Sequence, residues 1–183
     1  MSTENITLPE LARYTSTIQP SITMAITALA NQLKKEGKPV IGMSAGEPDF
    51  DTPDRIKEAG IQSIRDGKTK YTPAAGTLEL KQAIADKFKR ENKLDYGPEN
   101  IIVSCGGKHS LFNAKMAILN PGDEVVIPTP YWVSYPAQVQ ALGAVPVYIE
   151  AREENDLKVT AAELEAAITP KTKLFILNSP SNP

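Results

Sequence analysis

Cysteine is nearly absent. Cys105 is the only one in 183 residues, so no intrachain disulfide can form and a reducing compartment is the natural home. Long apolar runs are absent too: nothing nears the roughly 18 consecutive apolar residues of a membrane span. Charge of one sign is not concentrated anywhere. Twenty basic residues face 22 acidic ones for a net charge of -2, and the densest basic run, Lys87 to Arg90, is broken by Phe88 and followed by Glu91. A nucleic-acid or membrane-surface partner wants a basic stripe, so neither is expected. The first residues, Met1-Ser2-Thr3-Glu4-Asn5, include an acid and no apolar h-region, unlike a secretory signal. The Asn5-Ile6-Thr7 sequon is then a chance match. No metal site is expected, and the location expected is cytoplasmic. With 41% hydrophobic and 23% charged residues, the chain reads as a soluble globular protein of one domain, or one domain and part of another.

What is present is a sequence of elements in two styles. Residues 1–20 carry Pro9 and Pro20 and no sustained period, which predicts an arm or irregular packed segment. From Ser21 to about Glu36 the apolar residues Ile22, Ala25, Ile26, Leu29, Ala30 and Leu33 recur at helical spacing, with Ser21 as cap and Gly37 as stop. Val40–Met43 can form a short strand. Thr52-Pro53 predicts a helix start, a capping hydroxyl followed by proline at the first helical position, for a helix to about Asp66 and Gly67. Another helix is expected from Thr77 to about Lys93, with Leu80, Ile84, Ala85 and Phe88 on its apolar face. After that, strand, turn and helix alternate. Strands are expected at Ile101–Val103, Val125–Ile127, Val145–Ile149 and Lys173–Leu177. Helices are expected from Gly107 through Leu119, near Ser134–Leu142, and from Thr160, whose capping box with Glu163 starts a helix through Ile168. Short apolar strands alternating with helices predict an α/β fold with a mostly parallel sheet flanked by helices.

The junction Ser104-Cys105-Gly106-Gly107-Lys108-His109-Ser110 joins a β-branched run to a helix. Free backbone N–H groups at a helix start favour an anion, and glycine lets one come close. A phosphate site and a plain tight turn are the two readings these residues leave open. It is not a P-loop, which requires glycine where Ile102 stands and Ser or Thr where His109 stands. Other unusual loops follow runs expected to be strands, where open α/β sheets gather their ligands. One is Thr129-Pro130-Tyr131-Trp132, with the only tryptophan in the chain; Trp132 suits stacking on a flat cofactor or a place in the core. Another is Asn178-Ser179-Pro180-Ser181-Asn182-Pro183.

Five blocks occur in order: Ser44-Ala45-Gly46-Glu47-Pro48-Asp49-Phe50, Lys70-Tyr71-Thr72-Pro73-Ala74-Ala75-Gly76, Gly106-Gly107-Lys108, Pro130-Tyr131-Trp132-Val133-Ser134-Tyr135-Pro136 and Asn182-Pro183. Together, from about Pro20 onward, they resemble the class I aminotransferases, most of all the bacterial aspartate and aspartate/prephenate branch. The resemblance implies the fold type I of enzymes that depend on pyridoxal 5'-phosphate. Residues 1–45 would be an arm and small-domain segment, and 46–183 the first part of the large cofactor-binding domain. It implies transfer of an amino group between an amino acid, aspartate or glutamate by preference, and a 2-oxo acid by a ping-pong route, in a homodimer.

Roles follow by position from the same resemblance. Gly46 corresponds to the glycine whose backbone helps hold the substrate α-carboxylate. Tyr71 is similar to the tyrosine that reaches the cofactor phosphate of the other subunit. Gly106, Gly107 and Lys108 match the phosphate-binding turn, and Lys108 is expected to meet either that phosphate or the distal carboxylate of an acidic substrate. Trp132 resembles the residue stacked on the pyridine ring. Asn182 matches the asparagine that hydrogen-bonds the ring oxygen and contacts the substrate, before a bond to Pro183 that is often cis in the family. His109 and Cys105 are expected to be structural.

Three family groups have no counterpart in these residues: the Schiff-base lysine, the aspartate paired with the pyridine nitrogen and the arginine that clamps the α-carboxylate. No catalytic residue is therefore assigned, and the stop inside a loop directly after a strand predicts a truncated chain. Rival readings are a lyase or cyclopropane-forming synthase on the same scaffold, and a non-catalytic aminotransferase-like module. An unrelated nucleotide-binding domain would want a Gly-x-Gly-x-x-Gly, which follows none of the expected strands. The 183 residues alone are expected to fold poorly and to be inactive. Titrating them with pyridoxal phosphate should give no stable absorbance band that substitution of a single lysine abolishes.

Overall fold

In a computed structural model, residues 10–12, 14–43 and 46–182 are described. The chain divides into two compact units, residues 1–25 with 111–183, and residues 26–110. The helices are α1 (Tyr14–Thr17), α2 (Ile22–Lys35), α3 (Asp54–Arg65), α4 (Leu78–Lys87), α5 (Gly107–Ile118), α6 (Ser134–Ala141) and α7 (Ala161–Ala167). The strands are β1 (Glu124–Thr129), β2 (Val145–Glu150) and β3 (Thr172–Phe175).

The first unit is built on a parallel sheet of order β2-β1-β3. Central β1 pairs Val126 with Val147 on one side and with Phe175 on the other. A central parallel strand has both faces covered, and so it reads as a continuous apolar run. Val125, Val126 and Ile127 are accordingly 0% exposed. Leu119, Tyr135, Val139 and Ala144 join Val125 and Ile127 in the core, with Trp132, Leu174 and Ile176 packed against it in part. Helix α7 starts on the expected capping box: Glu163 N donates to Thr160 Oγ1 at 3.3 Å and Thr160 N to Glu163 Oε2 at 2.8 Å. The bonds that Thr160 donates to Glu163 Oε2, from its backbone N–H and then from its hydroxyl, hold the Glu163 carboxyl below its usual range.

The second unit has a thin interior, with Ala85 and Ile101 as its buried apolar residues among those described. Several expectations change here. Val40–Met43 and Ile101–Val103 are not strands. Ile101–Val103 is bonded to the 70–76 loop, Val103 N donating to Ala75 O at 3.0 Å, and finds no ladder partner. Thr52 does not cap α3; Pro53 stands at the cap and its carbonyl takes the N–H groups of Ile56 and Lys57. Helix α4 is capped by Thr77 as expected, then loosens into a π-turn over Phe88–Asn92 that ends at left-handed Lys93. On its apolar face Ala85 is buried, but Leu80 is exposed. The stripe of α2 likewise has Ile22, Ile26 and Leu29 exposed. In the N-terminal segment expected to be irregular, α1 forms one turn, with Thr15 N and Oγ1 both donating to Ala12 O. Residues 1–9, Arg13, Ser44, Ala45 and Pro183 lie outside the described residues. With them go the start of the expected arm, the sequon at Asn5 and the geometry of the Asn182–Pro183 bond.

The buried residue of α5 is a lysine. Lys115 is 2% exposed and donates to Gln138 Oε1 at 2.6 Å, with its ammonium 5.4 Å from the centre of the Tyr135 ring. Loss of hydration pushes its pKa below the ordinary 10.5, because burial disfavours the charged form. The unfolded chain therefore binds this proton more readily, and stability rises with pH between the depressed and the ordinary value. Replacing Lys115 with Met should flatten that rise. It should also cost about 1–3 kcal/mol by taking the donor from buried Gln138, while Lys115→Met with Gln138→Leu should recover most of the loss. Urea midpoints at neutral pH and near pH 10 measure both.

Candidate functional site

Two loops leave the carboxyl ends of the neighbouring strands β1 and β3, where open parallel sheets carry their ligands. The first runs from Thr129 through Trp132 into α6, and the second from Ile176 to Asn182. Tyr131 is fixed by a stack on Tyr148 of β2, ring centroids 5.2 Å apart and planes 16° from parallel. Trp132 meets Tyr135 edge to face, 5.5 Å between centroids at 87°; such pairs contribute beyond the area they bury. The spacing of three residues at a helix start puts both rings on one face. The Asn178 amide is assigned so that its oxygen faces donors. It then accepts from Tyr135 Oη at 3.1 Å and from the backbone N–H of Asn182 at 2.8 Å, while its nitrogen donates to Pro180 O at 3.2 Å. Trp132 and Asn182 are thus tied to one Tyr135–Asn178 pair. A mainly apolar cleft of about 430 Å³ opens beside them, lined by Ile127, Tyr131, Tyr135, Leu164, Phe175 and Asn178 among others.

In the second unit, Gly106 and Gly107 form the opening of α5. Gly106 has φ +83°, a left-handed conformation that glycine adopts without strain. Its carbonyl accepts the N–H groups of His109 at 3.1 Å and Ser110 at 3.2 Å. His109 turns back on the junction, its Nδ1 accepting from Cys105 N at 3.2 Å. A side chain added at Gly106 or Gly107 would meet nothing within 4 Å; there is open space over the helix start, as an anion requires. Lys108 is exposed at the same turn. The 70–76 loop is held close to the segment leading into it. A Cβ on Gly76, which has φ +101°, would lie 2.7 Å from Val103 Cγ2, so only glycine permits that approach. Tyr71 in this loop is fully exposed. Gly46 lines a separate hollow of about 400 Å³ with Thr27, Asn31, Lys34 and Glu47.

The predicted residues therefore fall in two sets, Trp132 and Asn182 in the first unit, and Gly46, Tyr71, Gly106, Gly107 and Lys108 in the second. Sequence reasoning gave no role to Tyr135, Asn178 or Lys115. A signal existed for the last: Lys115 occupies a stripe position between Phe112 and Leu119, at helical spacing from both. Among the described residues no group of His, Cys, Asp and Glu is placed to hold a metal ion, and no helix is long and apolar enough to cross a membrane.

The stack on β2 has a measurable signature. Desolvation first, and a hydrogen bond with Tyr131 second, push the Tyr148 pKa up to about 12. The folded protein keeps this proton where the unfolded chain gives it up. The stability linked to it is present below the ordinary value near 10 and is lost as pH rises through about 12. Tyr148 is 46% exposed, so solvent screening leaves only a small part of that shift as stability. Tyr148→Phe should remove the alkaline decline, read from thermal midpoints between pH 9 and 12, roughly the tyrosine range.

Residues 38–183 match the family model for aminotransferase class I and II. The probable aspartate/prephenate aminotransferase of Rhizobium leguminosarum bv. phaseoli is 59% identical over 173 residues, 94% of this chain and 43% of the relative. The aspartate aminotransferase of Bacillus subtilis is 53% identical, over 95% of this chain and 44% of its own. Among solved structures, the aspartate aminotransferase from Thermus thermophilus with maleate superposes with a TM-score of 0.92 at 46% identity, covering 96% of this chain and 46% of that one. The chain spans less than half the length of the curated relatives it matches. The α/β fold with its parallel sheet is the fold of these enzymes, and the chain belongs to the class I and II aminotransferase family.

Proposed function

We propose that the whole protein is a transaminase of the aspartate aminotransferase type, with pyridoxal 5'-phosphate as cofactor and a homodimeric, cytoplasmic form. It exchanges an amino group between an acidic amino acid and a 2-oxo acid in two half-reactions. The observation that carries this reading is the opening of α5, where two glycines leave space over a helix start in a chain 59% identical to an aspartate/prephenate relative. Residues 1–45 serve as arm and small-domain segment, and 46–183 begin the cofactor domain.

The cofactor, when bound, supplies an electron sink that stabilises charge at the substrate α-carbon. This chain's residues bind and orient. Backbone N–H groups at Gly106 and Gly107 hold the phosphate at the positive end of α5. Tyr71 reaches the phosphate held by the partner subunit, which suits its full exposure here. Trp132 lies against the ring and Asn182 donates its side-chain N–H to the ring oxygen. Gly46 offers its backbone N–H to the substrate α-carboxylate. Lys108 faces the distal carboxylate of aspartate or glutamate, or else the phosphate. None of these groups is assigned to move the α-proton.

Amino-group exchange between aspartate and 2-oxoglutarate by the whole protein tests the reading, and its absence would overturn it. Gly107→Val fills the space over the helix start and should weaken cofactor binding more than tenfold in an absorbance titration. Lys108→Ala separates its two roles. If Lys108 meets the distal carboxylate, its loss lowers kcat/KM for aspartate but not for alanine, whereas if it meets the phosphate, its loss weakens cofactor binding and spares that ratio.

A further inference from the structure

We propose that Tyr135 is a positioning residue, acting through Trp132 and Asn182 to set the cofactor ring; this rests on the cofactor reading above. Tyr135 is buried at 7% exposure in the first turn of α6, and it contacts three elements. Its ring lies nearly perpendicular to that of Trp132, 5.5 Å between centroids, and carries the Lys115 ammonium 5.4 Å from its centre. Its hydroxyl donates to Asn178 Oδ1 at 3.1 Å. The same oxygen accepts the Asn182 N–H at 2.8 Å, so a single carbonyl fixes the Tyr135 hydroxyl and the backbone that presents Asn182.

The side chain proposed to lie on the ring and the side chain proposed to bond its oxygen thus share one support. A phenol at position 135 meets both demands: an aromatic ring for the indole and the ammonium, and a hydroxyl at its far end for the amide. Phenylalanine would keep the first and lose the second. Asn178 is half-buried, and an acceptor there that loses one of two donors relaxes toward the other or toward water. Asn182 is exposed, so water can take the place of a bond that shifts there.

The test uses the full-length holoenzyme with Tyr135→Phe, Asn178→Ala and both together. Cofactor affinity is read by absorbance titration, and ring orientation by visible circular dichroism of the bound cofactor. Each single change should weaken pyridoxal phosphate about three- to tenfold, as for one lost hydrogen bond, and alter the dichroic band. The double variant should be little worse than either, because both act through one oxygen. Affinity for inorganic phosphate should stay at the wild-type value in all three, which a general loss of structure would not spare. Tyr135→Phe with unchanged affinity and dichroism, or additive losses in the double variant, would overturn the proposal and leave the cofactor reading intact. Wild-type protein that binds no pyridoxal phosphate would overturn both. If Tyr135→Phe fails to fold, Asn178→Ala alone decides, since it removes the acceptor and leaves the aromatic cluster whole.

Discussion

The parallel pairing of β1 on both its edges is the constraint on which the first unit depends. Three consecutive residues of that strand, Val125 to Ile127, are fully buried, and such burial is possible only with neighbours on both edges and both faces. A slip of one residue against either neighbour would turn every side chain to the opposite face. The register therefore fixes where the strand ends, and with it where Thr129 gives way to the loop bearing Trp132. Its pairing with β3 fixes the start of the loop bearing Asn182 in the same way. The geometry around Tyr135 is inherited from the sheet.

The second unit is organised differently. It has almost no interior, and its order comes from helix caps, turns and a few backbone bonds such as Val103 to Ala75. The apolar sides of α2 and α3 carry Ile26, Leu29, Ile56, Ile61 and Ile64 in exposed positions. Amphipathic helices gain their stability mainly from packing of that face. Relatives more than twice the length of this chain have the polypeptide to supply such packing.

This contrast explains what could be read from the residues alone. Period, caps and turn formers are local, so α2, α3, α5, α6 and α7 and the start of α4 were legible to within a residue or two, as were β1 and β2 and the capping box at Thr160, while α4 gives way to a π-turn at Phe88. A strand is a local pattern completed by a distant partner. Ile101–Val103 has the composition of one yet has no ladder here, and Val40–Met43 likewise. The turn at the α5 opening was legible because a left-handed φ such as that of Gly106 favours glycine wherever it occurs. Roles that come from contact between remote segments were not legible. Nothing within a few positions of Tyr135 announces Asn178, and Lys115 on an apolar stripe hints at burial without naming Gln138 as its partner.

Strand order has a consequence for biosynthesis. Trp132 and Asn182 are separated by 50 positions, and β3, which delivers the second, docks beside β1 only after β2 and α7 have been made. A growing polypeptide released at roughly 5–20 residues per second spends several seconds with the indole in place and no asparagine opposite it. During that interval the free edge of β1 is bare, and an extended segment from another molecule competes for it. The spacing that lets one tyrosine hold both loops also makes the nascent chain wait for β3.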